Sequence, residues 1–142
     1  MRPDRLVVGE VRGAEVRELL SALNTGHEGG CGTVHANTSS DVLSRFEALG
    51  ALAAMTGGAV RSQLASAVKI VIHVRREAGA RVVAEIGVIH RVGDRLQVMP
   101  AMRREGGRLR AVEGWSALVG LLDQHATGSA APPAEAAVGE SP

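Results

Sequence analysis

Aromatic side chains are nearly missing from this chain: Phe46 and Trp115 are the only two, and there is no tyrosine. Single-stranded nucleic acids are held largely by stacking on aromatic platforms, so that class of function is disfavoured. The core must instead be assembled from Val, Leu and Ala, a composition that suits parallel strands packed under helices. Cysteine occurs once, at Cys31. No intrachain disulfide is possible, and a reducing compartment is expected. Lysine also occurs once, at Lys69, so the chain contains no Gly-x-x-x-x-Gly-Lys-Ser/Thr phosphate loop. No block of basic residues stands out, and the net charge is only +1. The electrostatic footprint of a DNA binder is therefore absent, and no direct nucleic-acid binding is expected. Fifteen of the sixteen basic residues are arginine, read here as a mark of genomic base composition. Long apolar runs are missing too. The longest, residues 48–55, is far short of the roughly 20 residues needed to cross a bilayer. With no secretory signal either, a cytoplasmic protein is expected.

What is present is enough apolar sequence, 45% against 22% charged, for one globular domain within 142 residues. Residues 6–8 form a short apolar run ahead of Gly9 that fits a strand buried on both faces. Val16, Leu19, Leu20 and Leu23 then mark one face of a helix, with Glu15 and Glu18 near its start. A Gly-rich link through Gly29, Gly30 and Gly32 leads to a second short strand over Thr33, Val34 and His35. Strand, helix and strand within about thirty residues predict a parallel βαβ unit with a right-handed crossover. Ser39, Ser40 or Asp41 can cap a longer helix whose inner face is Val42, Leu43, Phe46, Leu49 and Ala53. Thr56, Gly57 and Gly58 break it, and a shorter helix follows over 59–67. From Lys69 the apolar period becomes two, with turns at residues 78–80 and at Gly93-Asp94, which predicts an antiparallel meander. Trp115, Leu118, Val119 and Leu122 mark a last helix anchored by Trp115, and the tail beyond His125 is expected to be disordered.

The chemistry-bearing residues fall at strand ends. Glu10 closes the first parallel strand and His35 the second. Ligands of open α/β sheets bind in the crevice at the carboxyl ends of strands, so both side chains are expected in one crevice. There Glu10 could hold a metal-bound water or accept a proton, and His35 could donate to an anionic oxygen. The plain alternative is that Glu10 is solvated loop. Arg12 could reach a phosphate or pair with Glu15. His27, Cys31 and His35, spaced by four, could share a helical face as zinc ligands do. Three intervening glycines argue against a helix there, and a fourth ligand is lacking unless Glu28 supplied it. Cys31 is read as a small buried residue, and His73 and His90 as half-buried structural ones.

Two of these stretches resemble a known family. RPDRLVVGEVRG over residues 2–13 resembles the Walker B region of the ATPases that power type II and type IV secretion and pilus machines. TGHEGGCGTVHANT over residues 25–38 resembles the histidine box that follows it, and RSQLASAV over 61–68 resembles the segment after that box. The branch most similar is that of tight-adherence pilus assembly and conjugal transfer. The resemblance implies the C-terminal portion of a RecA-like P-loop NTPase core, parallel strands with crossover helices and then an antiparallel meander, working as a hexamer. It further implies ATP and Mg2+ as cofactors and inner-membrane platform proteins as partners. It implies a cytoplasmic position peripheral to the inner face of the membrane. Glu10 becomes the acidic residue acting on magnesium, through water, and on the attacking water. His35 contacts the γ-phosphate. Gly9, Arg12, His27 and His35 are the nucleotide-binding positions, with Arg12 in the Walker B tail toward a neighbouring subunit. In some relatives an acidic residue further upstream is the general base.

The departure from the family is the missing phosphate loop, acidic box and N-terminal domain, so the front of the domain is expected to lie outside this chain, with Met1 an internal methionine of a longer protein. The expected organisation is a partial ATPase core over 1–101, an extension with a short helix over 102–125 and a tail over 126–142. Phosphoryl transfer needs a backbone cradle and a lysine for the β- and γ-phosphates, so the chain alone is expected to be inactive. A non-catalytic module that joins or regulates full-length rings is the alternative.

Overall fold

The computed structural model describes residues 6–25 and 29–128, the side chains of 125–128 excepted. Along the chain run β1 (Val7–Val8), α1 (Val16–Asn24), β2 (Cys31–Gly32), α2 (Asp41–Leu52), α3 (Gly57–Ala67), β3 (Ile70–Glu77), β4 (Ala80–Val92), β5 (Arg95–Glu105), β6 (Arg108–Ala111) and α4 (Trp115–Gly128). The architecture is mixed α/β. β1 and β2 form a parallel pair, and β3 to β6 form an antiparallel meander in sequence order.

The parallel pair arises as the βαβ pattern requires, with Val7 opposite Cys31 and Val8 opposite Gly32. Its second strand lies earlier than Thr33–His35: Cys31 and Gly32, at the end of the expected link, are themselves paired. Pairing then runs one bond further, from the Val11 N–H to the Thr33 carbonyl at 2.9 Å. The first strand is not buried on both faces. Val8 packs toward the helices, whereas Val7 is exposed because no described element covers that side.

The helices bury the faces their spacing marks out. Val16, Leu19 and Leu20 of α1 meet Val42, Phe46 and Leu49 of α2 and Val60 and Leu64 of α3 in one core, closed from the sheet side by Val71, Ile89 and Val98. α2 and α3 approach so closely at Gly50 that a Cβ there would collide with Val60. The cap of α2 is built one turn before the helix: the Asp41 N–H donates to Thr38 Oγ1 at 3.2 Å and the Thr38 N–H to Asp41 Oδ2 at 3.1 Å. This is a capping box, and it assigns the cap to Thr38 rather than to Ser39 or Ser40. Thr56 and the glycines after it end one helix and start the next, with Thr56 Oγ1 accepting from the Ala59 N–H.

In the meander, two-residue turns at Ala78-Gly79, Gly93-Asp94 and Gly106-Gly107 link the four strands. The fourth strand, β6, is an element the alternation pattern did not mark. β5 runs on through position 101, and α4 reaches Gly128, three residues into the expected tail; residues 129–142 lie outside the described residues. α4 covers one face of the sheet through Leu118, which packs on Val88 and Ala101. Trp115 is not its anchor. As the first residue of the helix it is displaced outward and exposed, and Leu118, one turn on, fills that role.

Candidate functional site

The site forms where β1 and β2 release the chain. After Gly9 the backbone is held against the second strand's exit by the Thr33 hydroxyl, which donates to the Gly9 carbonyl, and by the Val11–Thr33 bond. Glu10, between these two anchors, therefore faces the segment that carries His35. Glu10 Oε1 lies 2.7 Å from His35 Nε2 and Oε2 lies 2.5 Å from Arg12 Nη2. The Glu10 side chain is 27% exposed and that of His35 is 82% exposed, so a largely shielded carboxylate is met by an open imidazole. Oε1 and the imidazole are close without forming an aligned hydrogen bond. The Arg12 guanidinium holds the Glu10 carboxyl below the usual carboxylate range; desolvation opposes this, and His35 adds to it more weakly. Glu10 in turn raises the Arg12 guanidinium.

The structure thus brings Glu10, Arg12 and His35 together, beside Gly9. Around Gly9 there is open space, so its lack of a side chain is not needed for packing within this chain. His27 lies outside the described residues. Arg12 pairs with Glu10 and not with the side chain of Glu15. Glu15 instead accepts the Arg12 and Gly13 N–H groups at 2.8 and 3.0 Å, tying the loop after β1 to the start of α1. Cys31 is exposed, not buried, because it shares the uncovered face of the pair with Val7, its register partner. Among the described residues no group of His, Cys, Asp and Glu could hold a metal ion by itself.

Glu15 supports a pH prediction. The backbone N–H of Arg12, followed by those of Glu15 and Gly13, holds its carboxyl below the usual range. A group whose folded pKa is lowered adds stability above its unfolded value, and that contribution is lost as pH falls through the lowered one. Glu15→Gln is therefore expected to lower stability at neutral pH and to flatten the acid transition below about pH 4. Circular dichroism during acid titration reads this, and superimposable profiles would refute it.

Two features escaped the sequence pattern. His35, Ala36, Asn37, Asp41, Ser44 and Arg45 line an open cavity of about 540 Å³ beside the Glu10–His35 pair. Its far wall is the exposed side of α2, visible in sequence as Asp41, Ser44 and Arg45 at helical spacing. The second is a polar tie: the hydroxyl of buried Ser39 donates to Glu85 Oε1 on β4, and Arg103 Nε on β5 donates to Glu85 Oε2 at 3.0 Å. It links the segment just after His35 to the meander. No local sequence signal pairs residues 46 positions apart.

Among the described residues no helix is long and apolar enough to cross a membrane. The family model described as type II/IV secretion system protein matches residues 1–112. A Mycobacterium tuberculosis (strain H37Rv) protein named for conjugal transfer is 53% identical over 127 residues, 89% of this chain and 32% of that relative. Conjugal transfer protein TrbB of Rhizobium radiobacter is 41% identical over 95 residues, 67% of this chain and 28% of its own. Type IV secretion system protein VirB11 of Bartonella quintana is 32% identical over 93 residues, 61% of this chain and 25% of its own. The chain thus spans about a third or less of the length of these relatives. On the extent of the family match and of the identity to the mycobacterial relative, this chain belongs to the type II/IV secretion system protein family.

Proposed function

We propose that this chain is the C-terminal part of a RecA-like ATPase core that powers secretion, conjugal transfer or pilus assembly. The observation that carries the reading is the 2.7 Å approach of Glu10 and His35, from the two resembling motifs, at the exit of a parallel strand pair. In this reading residues 1–101 belong to the core, 102–125 extend it, and 126–142 form a tail. The complete protein assembles as a hexamer with inner-membrane platform proteins, peripheral to the cytoplasmic face of the membrane.

The residues fit only one side of a magnesium–nucleotide group. Glu10 offers a carboxylate oxygen without an aligned donor, suited to a water-bound cation. His35 offers an exposed imidazole for an anionic oxygen, with Gly9 and Arg12 alongside and His27 in the adjoining box. The phosphate cradle is not supplied: the Lys69 ammonium donates to the Ala65 carbonyl at 2.7 Å, beside the start of β3. Bound Mg2+ supplies charge stabilisation and orientation of the phosphates. Glu10 would hold that ion's water and accept a proton, and His35 would donate to the terminal phosphate oxygen. Without the cradle this chain alone is inactive.

In a full-length version that hydrolyses ATP, Glu10→Gln and His35→Ala are each expected to lower kcat by about 100-fold or more while nucleotide binding persists. Retained turnover in either variant would overturn the assignment of that residue.

A further inference from the structure

The tertiary fold sorts charge along the meander. The Ala78-Gly79 and Gly106-Gly107 turns lie at one end of the sheet, since β3 and β5 run toward it and β4 and β6 run away. Residues 75–81 and 103–110 hold seven arginines and two glutamates, a net +5 in a chain of net +1. Part of this charge is neutralised. Glu77 pairs with Arg75 and Arg104, each at 3.3 Å, and Glu85 pairs with Arg103. Among the described residues Arg76, Arg81, Arg108 and Arg110 have no ion-pair partner. Arg76 and Arg81 moreover stand directly opposite each other in the β3–β4 register. Like charges so placed work against the hairpin, and an external carboxylate pair would reverse the sign.

Beside that doublet no described element covers the sheet. Strand alternation sets Val74 and Ile72 on the same face as Arg76, two and four residues back. They are 49% and 59% exposed. This is the face that α4 covers, but Leu118 and its neighbours lie on Val88 and Ala101 of β4 and β5, leaving the outer half of β3 open. The outcome is a shelf with an apolar floor, Ile72 and Val74, closed at the hairpin end by two unneutralised guanidinium groups.

We propose that this shelf docks an acidic amphipathic segment of a partner protein, which sets apolar side chains on Ile72 and Val74 and a carboxylate pair between Arg76 and Arg81. A flat anionic lipid surface fits less well. By alternation Arg108 and Arg110 project from the opposite face of the sheet to Arg76 and Arg81, so one plane engages only one set. The scarcity of aromatics disfavours nucleic acid. The proposal is independent of the nucleotide reading.

The test uses the whole chain and a fluorescein-labelled synthetic 16-residue helical peptide, with leucines on one face and two glutamates in its first turn. Anisotropy is expected to show binding that weakens tenfold or more when those glutamates become glutamine. The Arg76→Gln/Arg81→Gln double variant and Val74→Asn should each weaken it comparably, and Arg108→Gln/Arg110→Gln should leave it unchanged. Because it relieves repulsion, Arg76→Gln/Arg81→Gln is also expected to raise the thermal midpoint, which separates lost binding from lost folding. No binding of the peptide would overturn the proposal, as would equal binding by that variant or a lower midpoint. Binding of phosphatidylglycerol vesicles, but not the peptide, in a manner that needs Arg76 and Arg81 would identify a lipid surface instead.

Discussion

Leu20→Ala is expected to lower the unfolding free energy by about 2–5 kcal/mol, the range for truncating a fully buried leucine. Leu20 sits in the middle of α1 and is wholly enclosed in the core shared with α2 and α3. Truncation removes the transfer energy of three carbons and leaves a void that three tightly approaching helices cannot close. Against a typical total of about 5–15 kcal/mol, such a loss removes much of the stability. The thermal midpoint should fall by roughly 10 °C or more. Val7→Ala is the internal control: with Val7 exposed on the uncovered side of β1, it should change stability by less than about 0.5 kcal/mol. Urea unfolding of both variants decides the matter. A loss below about 1 kcal/mol for Leu20→Ala would mean that the helices do not share one core.

Glu85→Ala is the second large effect expected. Its carboxylate accepts from Ser39 on one side and Arg103 on the other, and Ser39 is the one buried polar side chain among the described residues. Removing the acceptor leaves the hydroxyl unsatisfied in the interior, at about 1–3 kcal/mol. Ser39→Ala removes the donor and should cost less. The Ser39→Ala/Glu85→Ala double variant should then be more stable than the sum of the two single losses predicts. Ser39 follows His35 by four residues, so the loss should also be read locally, as faster hydrogen exchange over residues 35–41. Additive losses without change in that segment would show that the tie does not hold the loop in place.

The parts of the fold that were legible were those carried by local periodicity. Val16, Leu19 and Leu20 could only be buried together on one helical face, and the alternation from Ile70 onward could only be strand. The pairing of Glu10 with His35 was legible for a similar reason: a short crossover between parallel strands returns both strand ends to one edge. What local pattern does not encode is what lies next to each element. In sequence Val7 and Cys31 look buried because their neighbours are apolar or small, yet no described element covers that side. The size of Trp115 marks it as an anchor, whereas its place at the first turn of α4 turns it outward. β6 escaped because Arg108, Leu109, Arg110 and Ala111 form too short a run to declare a period.

By itself the sequence determined that this is a mixed α/β chain with a small aliphatic core, two motif segments resembling secretion ATPases, and no phosphate loop of its own. Only the tertiary structure decided how distant charges meet. Two arginine-rich stretches that lie apart in the chain are gathered at one end of the meander, because antiparallel hairpins return residues 75–81 and 103–110 to the same end of the sheet. The same folding sets Arg76 opposite Arg81 and carries Glu85 to Ser39. Periodicity reports which face of an element is apolar. It carries no information about which elements become neighbours, and electrostatic contacts depend on that neighbourhood, through both distance and burial.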